Sequence, residues 1–467
     1  KNTRPFIKKL ASGLEHDRLL RENSDILHAI GVLTYYISCS QQIEKMPHLQ
    51  PFRLLAPRNK MRVSLNTLMG LEIIPKHASL FRESVLGYAD RTKTAMGART
   101  LRHVFLNPLT DLEQIKKRQQ AISYFLAHPE ELKDVREKFE DVRDLERILA
   151  KSSTGKALPG DLQNFANSLK VYFEFEKLFG QFQNIFEQKI EEKILKEASQ
   201  LILNIGKAIN DELGASAEKG NLIREGYNIE RDRLKRLVTN SHEELQKLED
   251  QYKDKTGISK LRIRSNSING FFIEVTKSHT HKVPTDFERR QTLVNAERYT
   301  TPELLDFEKE VISAQTRLEK LERAIFKEFL ECLQSNAQGY LTLAQHLAML
   351  DILQSLAWLA LQENFVCPQF KSGPRLLSIT QGRHPLIEAS LKNSFVAHDL
   401  ILDESQYFGL ITGPNMAGKT TVMREVAIIQ FLAQIGSYVP AKQATLSLID
   451  HLFCRLGASD DIQRGQS

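Results

Sequence analysis

Tyr407-Phe408-Gly409-Leu410-Ile411-Thr412 runs directly into Gly413-Pro414-Asn415-Met416-Ala417-Gly418-Lys419-Thr420, and these residues set the class of the last part of the chain. The first six form an apolar run that reads as a strand. The next eight fit G-x-x-x-x-G-K-[ST]. A helical pattern follows from Thr420 to about Leu432. Strand, glycine-bounded turn and helix are the context that a phosphate-binding loop requires. The glycines let the backbone wrap so that its N–H groups point inward at phosphate oxygens. The helix N-terminus adds partial positive charge. This chemistry assigns Gly413, Pro414, Asn415, Met416, Ala417, Gly418, Lys419, Thr420 and Thr421 to ATP or ADP. Lys419 reaches the β- and γ-phosphates, and the Thr420 hydroxyl ligates Mg²⁺.

Such a loop needs an acid at the end of another strand. Asp450 follows the apolar Leu446-Ser447-Leu448-Ile449, and Asp460 and Asp461 come soon after. The Asp-Glu pair expected of these ATPases does not occur before Ser467, so the expectation is an incomplete nucleotide domain with weak or absent hydrolysis. Upstream, Leu376-Leu377-Ser378-Ile379 reads as another strand of the same α/β unit.

The middle of the chain is helical, with one interruption. Leu112, Ile115, Gln119, Ile122 and Phe125 keep to one face of a helix over 111–126. Gly155-Lys156-Ala157-Leu158-Pro159-Gly160 reads as a loop, with helices resuming over 161–180 and 182–212. A polar helix spans 228–253, and Gly257 stops it. The period then changes to two: Leu261, Ile263 and Ser265 alternate with Arg262 and Arg264, and Phe271-Phe272-Ile273-Glu274-Val275 follows Asn269-Gly270. This predicts a small antiparallel unit. Helix resumes over 303–338, roughly 54 Å long at the standard rise, and a more apolar helix covers about 340–365. Long helices that are polar on most faces act as spacers or levers. The apolar positions hold no clean heptad, which counts against a coiled-coil arm.

Of the chain's 467 residues, 41% are hydrophobic and 26% charged, which excludes disordered and collagen-like classes. No apolar stretch is long enough to span a membrane, and Lys1-Asn2-Thr3-Arg4 is not followed by a signal core. Cys39, Cys332, Cys367 and Cys454 are too scattered for a disulfide framework or a zinc site, and read as buried thiols of a reducing compartment. The net charge of +6 is modest, but residues 254–300 hold nine Lys/Arg against five Asp/Glu. Most of the excess charge therefore lies on the predicted β tip, where it suits a phosphate backbone gripped without base reading. His279 and His281 have no third ligand nearby in sequence, and Gly382-Arg383-His384-Pro385 reads as a packing turn.

Several of these stretches resemble one family, the MutS proteins of DNA mismatch repair. Thr412 to Thr420, Ile435-Gly-Ser-Tyr-Val-Pro-Ala441 and Gly382-Arg383-His384-Pro385 are similar to its ATPase domain. Arg289-Arg290-Gln291-Thr292-Leu293 with Asn295-Ala296-Glu297-Arg298-Tyr299 resembles its clamp. Met96-Gly97-Ala98-Arg99 and Arg143-Asp144-Leu145-Glu146-Arg147-Ile148 resemble its core. The resemblance implies a mainly α multidomain chain with long core and lever helices, a small antiparallel β clamp and a partial α/β ABC-type P-loop domain. Its divisions are 1–55 (end of the connector and start of the core), 56–237 (core and first lever helices), 238–302 (clamp), 303–367 (second lever helices) and 368–467 (first part of the ATPase domain).

The resemblance further implies a DNA-dependent ATPase that dimerises around mismatched double-stranded DNA. ATP switches it to a sliding clamp that recruits a MutL-type partner, in the cytoplasm at the nucleoid and away from membranes. Phe395 falls at the family's adenine-stacking position. Arg262, Arg264, Lys277, Lys282, Arg289, Arg290 and Asn295 are the candidates for DNA contact. Ala417 and Thr420 depart from the family's Gly and Ser, and Val294 stands where many members carry Lys. The family's mismatch-reading domain, most of its connector and the later ATPase elements are expected to be missing from this stretch. Two alternatives are a homologue acting on recombination junctions and a non-catalytic DNA-binding scaffold with a vestigial P-loop.

Overall fold

The spacing of Leu112, Ile115, Gln119, Ile122 and Phe125 gives a helix, Leu112–Ala127, that buries Ile115, Gln119, Ala121, Ile122 and Phe125. This comes from a computed structural model, which describes residues 24–41, 59–186, 188–210, 221–266, 270–391, 395–414 and 417–455. The helices before the β insertion are α1 (Ser24–Gln41), α2 (Leu65–Gly70), α3 (Val85–Ala89), α4 (Ala95–Leu106), α5 (Leu112–Ala127), α6 (Pro129–Lys138), α7 (Leu145–Ser153), α8 (Pro159–Glu174), α9 (Glu176–Gln181), α10 (Glu192–Ala208) and α11 (Ile229–Thr256). After it come α12 (Pro302–Ser335), α13 (Ala337–Glu363), α14 (Pro385–Leu391) and α15 (Lys419–Gln434). Ser64, Ser84, Thr94, Asp111 and Asp144 cap their helices by accepting from backbone N–H groups of the first turn.

The described residues fall into two compact units. One comprises those up to Ala157, Asn164–Ile202 and those from Leu333 onward; the other comprises Leu158–Gln163 and Leu203–Cys332. In the first, α13 is buried on nearly all sides and packs against α4, α5, α6 and α7. Its Asp351 accepts from the N–H groups of Lys93 (2.9 Å) and Thr94 (2.8 Å) and from the Thr94 hydroxyl (2.7 Å). A Cβ at position 97 would lie 2.1 Å from that carboxylate, so Gly97 is required there. Arg99 bonds both oxygens of Asp144 at 2.8 Å and reaches Glu146 at 2.6 Å, so the two core motifs singled out in the sequence meet.

In the second unit, α11 and α12 pack through Leu234, Ala314 and Leu318. The buried Arg231 donates to Glu322 (2.9 Å), which also accepts from the N–H groups of Leu222 and Ile223. Gly257 ends α11 in the left-handed conformation (φ 65°), as its position in the sequence predicts. The antiparallel unit has four strands, β2 (Arg262–Asn266), β3 (Gly270–Thr276), β4 (Glu288–Thr292) and β5 (Ala296–Thr300), in the order β2-β3-β5-β4. A short β1 (Arg62–Val63) belongs to the first unit and pairs in parallel with β10 (His451–Leu452).

The remaining sheet lies in the last part of the chain. Its strands β6 (Gln369–Phe370), β7 (Leu377–Gly382), β8 (His398–Leu402) and β9 (Gln443–Leu446) run in the order β6-β9-β7-β8. β7 is antiparallel to both β8 and β9, while β6 and β9 are parallel. The apolar run from Tyr407 to Thr412 is not a strand, contrary to the expectation. Tyr407, Phe408 and Leu410 are 83%, 77% and 79% exposed. The reason is pairing: a strand of this kind is held by neighbours on both sides, and no described residues pair with it. The cysteines also differ from expectation, since Cys39, Cys332 and Cys367 are exposed rather than buried. No described helix is long and apolar enough to cross a membrane.

Candidate nucleotide and nucleic-acid interfaces

The four-stranded sheet has one face in its own core and one turned outward. Ile273 and Val275 of β3, Tyr299 of β5 and Phe287 pack with Leu248 and Tyr252 of α11 and Leu304 of α12. The Tyr252 hydroxyl lies 2.7 Å from that of Thr301, and the Ile263 N–H donates to Glu249 at 2.8 Å. The sheet is thereby fixed to the ends of both long helices. Register places Arg262 opposite Glu274 and Arg264 opposite Phe272 on the outward face. There Arg298 lies over the Phe272 ring at 4.2 Å and donates to Gln291 at 2.8 Å.

The predicted DNA contacts all reach the surface. Arg262, Arg264, Lys277, Lys282, Arg289, Arg290 and Asn295 are exposed. Arg264 pairs loosely with Glu274 (3.5 Å) and Arg289 with Glu297 (3.7 Å). Such exposed pairs hold a side chain weakly and leave it able to exchange partners. Lys277 and Asn295 are joined by a backbone hydrogen bond of 3.2 Å, which brings the 3₁₀ turn Lys277–Lys282 beside the β4–β5 turn. Val294 at that turn is 86% exposed. Two of the strands, β4 and β5, were not legible as strands in the sequence, because Glu288-Arg-Arg-Gln-Thr292 is exposed along its whole length and carries no apolar alternation.

In the loop before α15, Lys419 Nζ donates to the carbonyl oxygens of Gly413 (2.7 Å) and Pro414 (2.6 Å). Gly413 (φ 157°) and Gly418 (φ 81°) bound this turn. Gly418 caps α15 without a side-chain hydrogen bond, and the first turn of α15 contains no acid. Backbone N–H groups at this helix start, together with Lys419, form a donor set suited to phosphate. Thr420 and Thr421 lie in that first turn and are half-buried. Asn415 and Met416 lie outside the described residues, as do Asp460 and Asp461. Asp450 is exposed, and its carbonyl accepts from the Arg62 N–H at 2.7 Å. Among the described residues no three His, Cys, Asp or Glu side chains converge as a metal site.

Phe395 is half-buried, and its ring meets His398 edge-on at 5.9 Å. His398 Nδ1 is 3.4 Å from Oε2 of Glu425, a buried residue of α15. Burial, reinforced by the charge of Glu388, pushes the Glu425 carboxyl up to about 8. Arg424, the preceding residue, donates to Glu72 at 2.8 Å. Arg383 donates to the carbonyls of Glu363 (3.0 Å) and Asn364 (3.1 Å), so the turn Gly382–Pro385 ties the end of α13 to this sheet. His384 is buried, and neither ring nitrogen has a hydrogen-bond partner among the described residues. Burial, together with the Arg424 charge, pushes it down to about 3 and keeps it neutral.

Comparison with protein families bears directly on these two regions. The family description "MutS domain III" matches residues 66–357, and "MutS domain V" matches residues 409–467. The chain belongs to the MutS family. It is 36% identical over 455 residues to the DNA mismatch repair protein MutS of Thermotoga neapolitana, covering 97% of this chain and 55% of that protein. With the protein of the same name from Desulfitobacterium hafniense it shares 36% identity over 462 residues, covering 97% and 53%. With that of Thermotoga maritima it shares 35% over 441 residues, covering 94% and 54%. The chain spans about half the length of the curated relatives it matches. Sequence reasoning missed His398, Glu425 and Arg424. In the structure a Cβ at position 382 would lie 2.4 Å from Glu425 Oε1, a closeness that the sequence does not signal.

Proposed function

We propose that this MutS chain supplies the core, levers, clamp and phosphate-binding loop of an ATP-switched DNA mismatch sensor. Its clamp sheet grips the duplex backbone, and its loop at the start of α15 holds Mg·ATP. The observation that carries the reading is the pair of features within one MutS chain: an outward basic face on a rigid sheet, and a glycine-bounded helix start with Lys419 folded across it. In this reading Lys419 and the backbone N–H groups of 417–420 hold the phosphates, Thr420 offers its hydroxyl to Mg²⁺, and Phe395 stacks on adenine. Asn415 and Met416 complete the loop. Bound Mg²⁺ supplies charge neutralisation between the terminal phosphates. The domain division given above, dimerisation of the whole protein, a MutL-type partner, action at the nucleoid and weak hydrolysis by this stretch belong to the same proposal.

Arg262, Arg264, Lys277, Lys282, Arg289 and Arg290 are assigned to phosphates, with Asn295 as a neutral donor beside them. Each neutralised phosphate releases counterions, so about four to six contacts give a log–log salt slope near −4 to −5. The test is duplex binding by fluorescence anisotropy over a series of salt concentrations. Arg289→Ala combined with Arg290→Ala should flatten the slope by about 2. An unchanged slope removes both residues from the interface.

A further inference from the structure

The phosphate end and the base end of the nucleotide site lie on different elements. Lys419 and Thr420 begin α15, whereas Phe395 precedes β8. One side-chain contact bridges the two: Glu425, six residues beyond Lys419 on α15, faces His398 at 3.4 Å, and His398 in turn meets the Phe395 ring. Glu425 is seated by the absence of a side chain at Gly382, the last residue of β7. Its side chain is 2% exposed, and among the described residues it contacts His398 Nδ1.

We propose that Glu425 and His398 are positioning residues for the base of the nucleotide: they lock the Phe395 segment to the phosphate-binding helix, so that stacking and phosphate binding occur together. This rests on the nucleotide reading given above and adds to it what couples the two halves of the site. The protonation state follows from the surroundings. Burial disfavours the carboxylate and Glu388 adds a like charge nearby, so Glu425 is pushed up to about 8. Glu425 Oε2 faces His398 Nδ1 at 3.4 Å, a contact in which a protonated carboxyl can serve as the donor. Of the charged groups nearby, Arg424 donates to Glu72 and acts on the buried His384, and Asp399 accepts from the Gln381 N–H at 2.7 Å.

The test compares two probes, Mg·ATP and Mg·tripolyphosphate, by calorimetric titration. The tripolyphosphate carries the phosphates without a base to stack. His398→Ala and Glu425→Ala should each weaken ATP by about two- to tenfold, the range of an aromatic contact, and leave tripolyphosphate unchanged. Glu425→Gln should restore ATP binding, because its amide N–H replaces the carboxyl O–H as donor to Nδ1. Equal losses for both probes would assign the pair a purely structural role, and so would a Gln variant as weak as the Ala variant; either outcome overturns the inference. Phe395→Ala and Lys419→Ala separate the two levels of the argument. If Phe395→Ala weakens only ATP while His398→Ala changes nothing, the coupling fails and the nucleotide reading stands. If Lys419→Ala binds both probes like the parent chain, the nucleotide reading fails and the coupling falls with it.

Discussion

The two four-stranded sheets of this MutS chain are finished to different degrees. In β2-β3-β5-β4 the inward face is closed by residues of the same unit: Ile273, Val275 and Tyr299 meet Leu248, Tyr252 and Leu304. In β6-β9-β7-β8, α15 packs against β7, where the buried Ile379 and Ile429 both come close to Gly382. Yet the apolar segment that leads to the phosphate-binding loop lies exposed beside it, with Leu410 at 79%. The difference follows from what each site needs. A backbone-gripping surface needs only a rigid scaffold that holds cations outward. The proposed nucleotide site draws its residues, Phe395, Gly413, Lys419 and Glu425, from separate elements, and so depends on neighbours to hold them in register.

This contrast can be broken or sharpened in order of expected effect. Ile273→Ala opens a hole in the closed sheet and should cost about 2–5 kcal/mol in urea denaturation. Duplex binding should fall with it, while Mg·ATP binding remains. Loss of both would show that the two regions do not function independently. Next, Thr420→Ala should weaken Mg·ATP about tenfold and leave metal-free ATP in EDTA unaffected. An equal loss with and without Mg²⁺ would remove the hydroxyl from the metal.

A third test concerns pH. Glu425 has its folded-state value raised from 4.5 to about 8. The native state therefore keeps a proton that the unfolded state releases in this window, and stability falls as pH rises from 4.5 to about 8. His384 has the opposite sign: lowered from 6.5 to about 3, it loses stability as pH falls through that window. Thermal melts across pH should show Glu425→Gln flattening the fall in stability between pH 4.5 and about 8 while leaving the fall towards low pH that His384 produces. A slope unchanged by that substitution would mean that Glu425 is ionised in the folded protein.

Much of the fold was readable because its signals are local. The stripe of α5, the Gly257 stop and the period change at Leu261 each report one element's own burial. The β4 and β5 strands escaped because they are held by pairing, β5 to β3 and β4 to β5, rather than by apolar alternation. The run from Tyr407 to Thr412 misled for the reverse reason, since an apolar sequence is not a strand until neighbours pair with it. The helix that begins at Lys419 was legible because its signals are adjacent in sequence. Phe395 was reached through family resemblance, and the Glu425–His398 contact was beyond sequence reasoning because it joins α15 to β8 across 27 residues.

The central claim is that the start of α15 is a working phosphate cradle even though the segment before it is unpaired. Calorimetric titration of the chain with Mg·ATP, set against Lys419→Ala, tests this most directly. The account predicts saturable one-to-one binding that weakens roughly ten- to a hundredfold in the variant, the scale of a charge-assisted contact. Equal binding by the two proteins would contradict it.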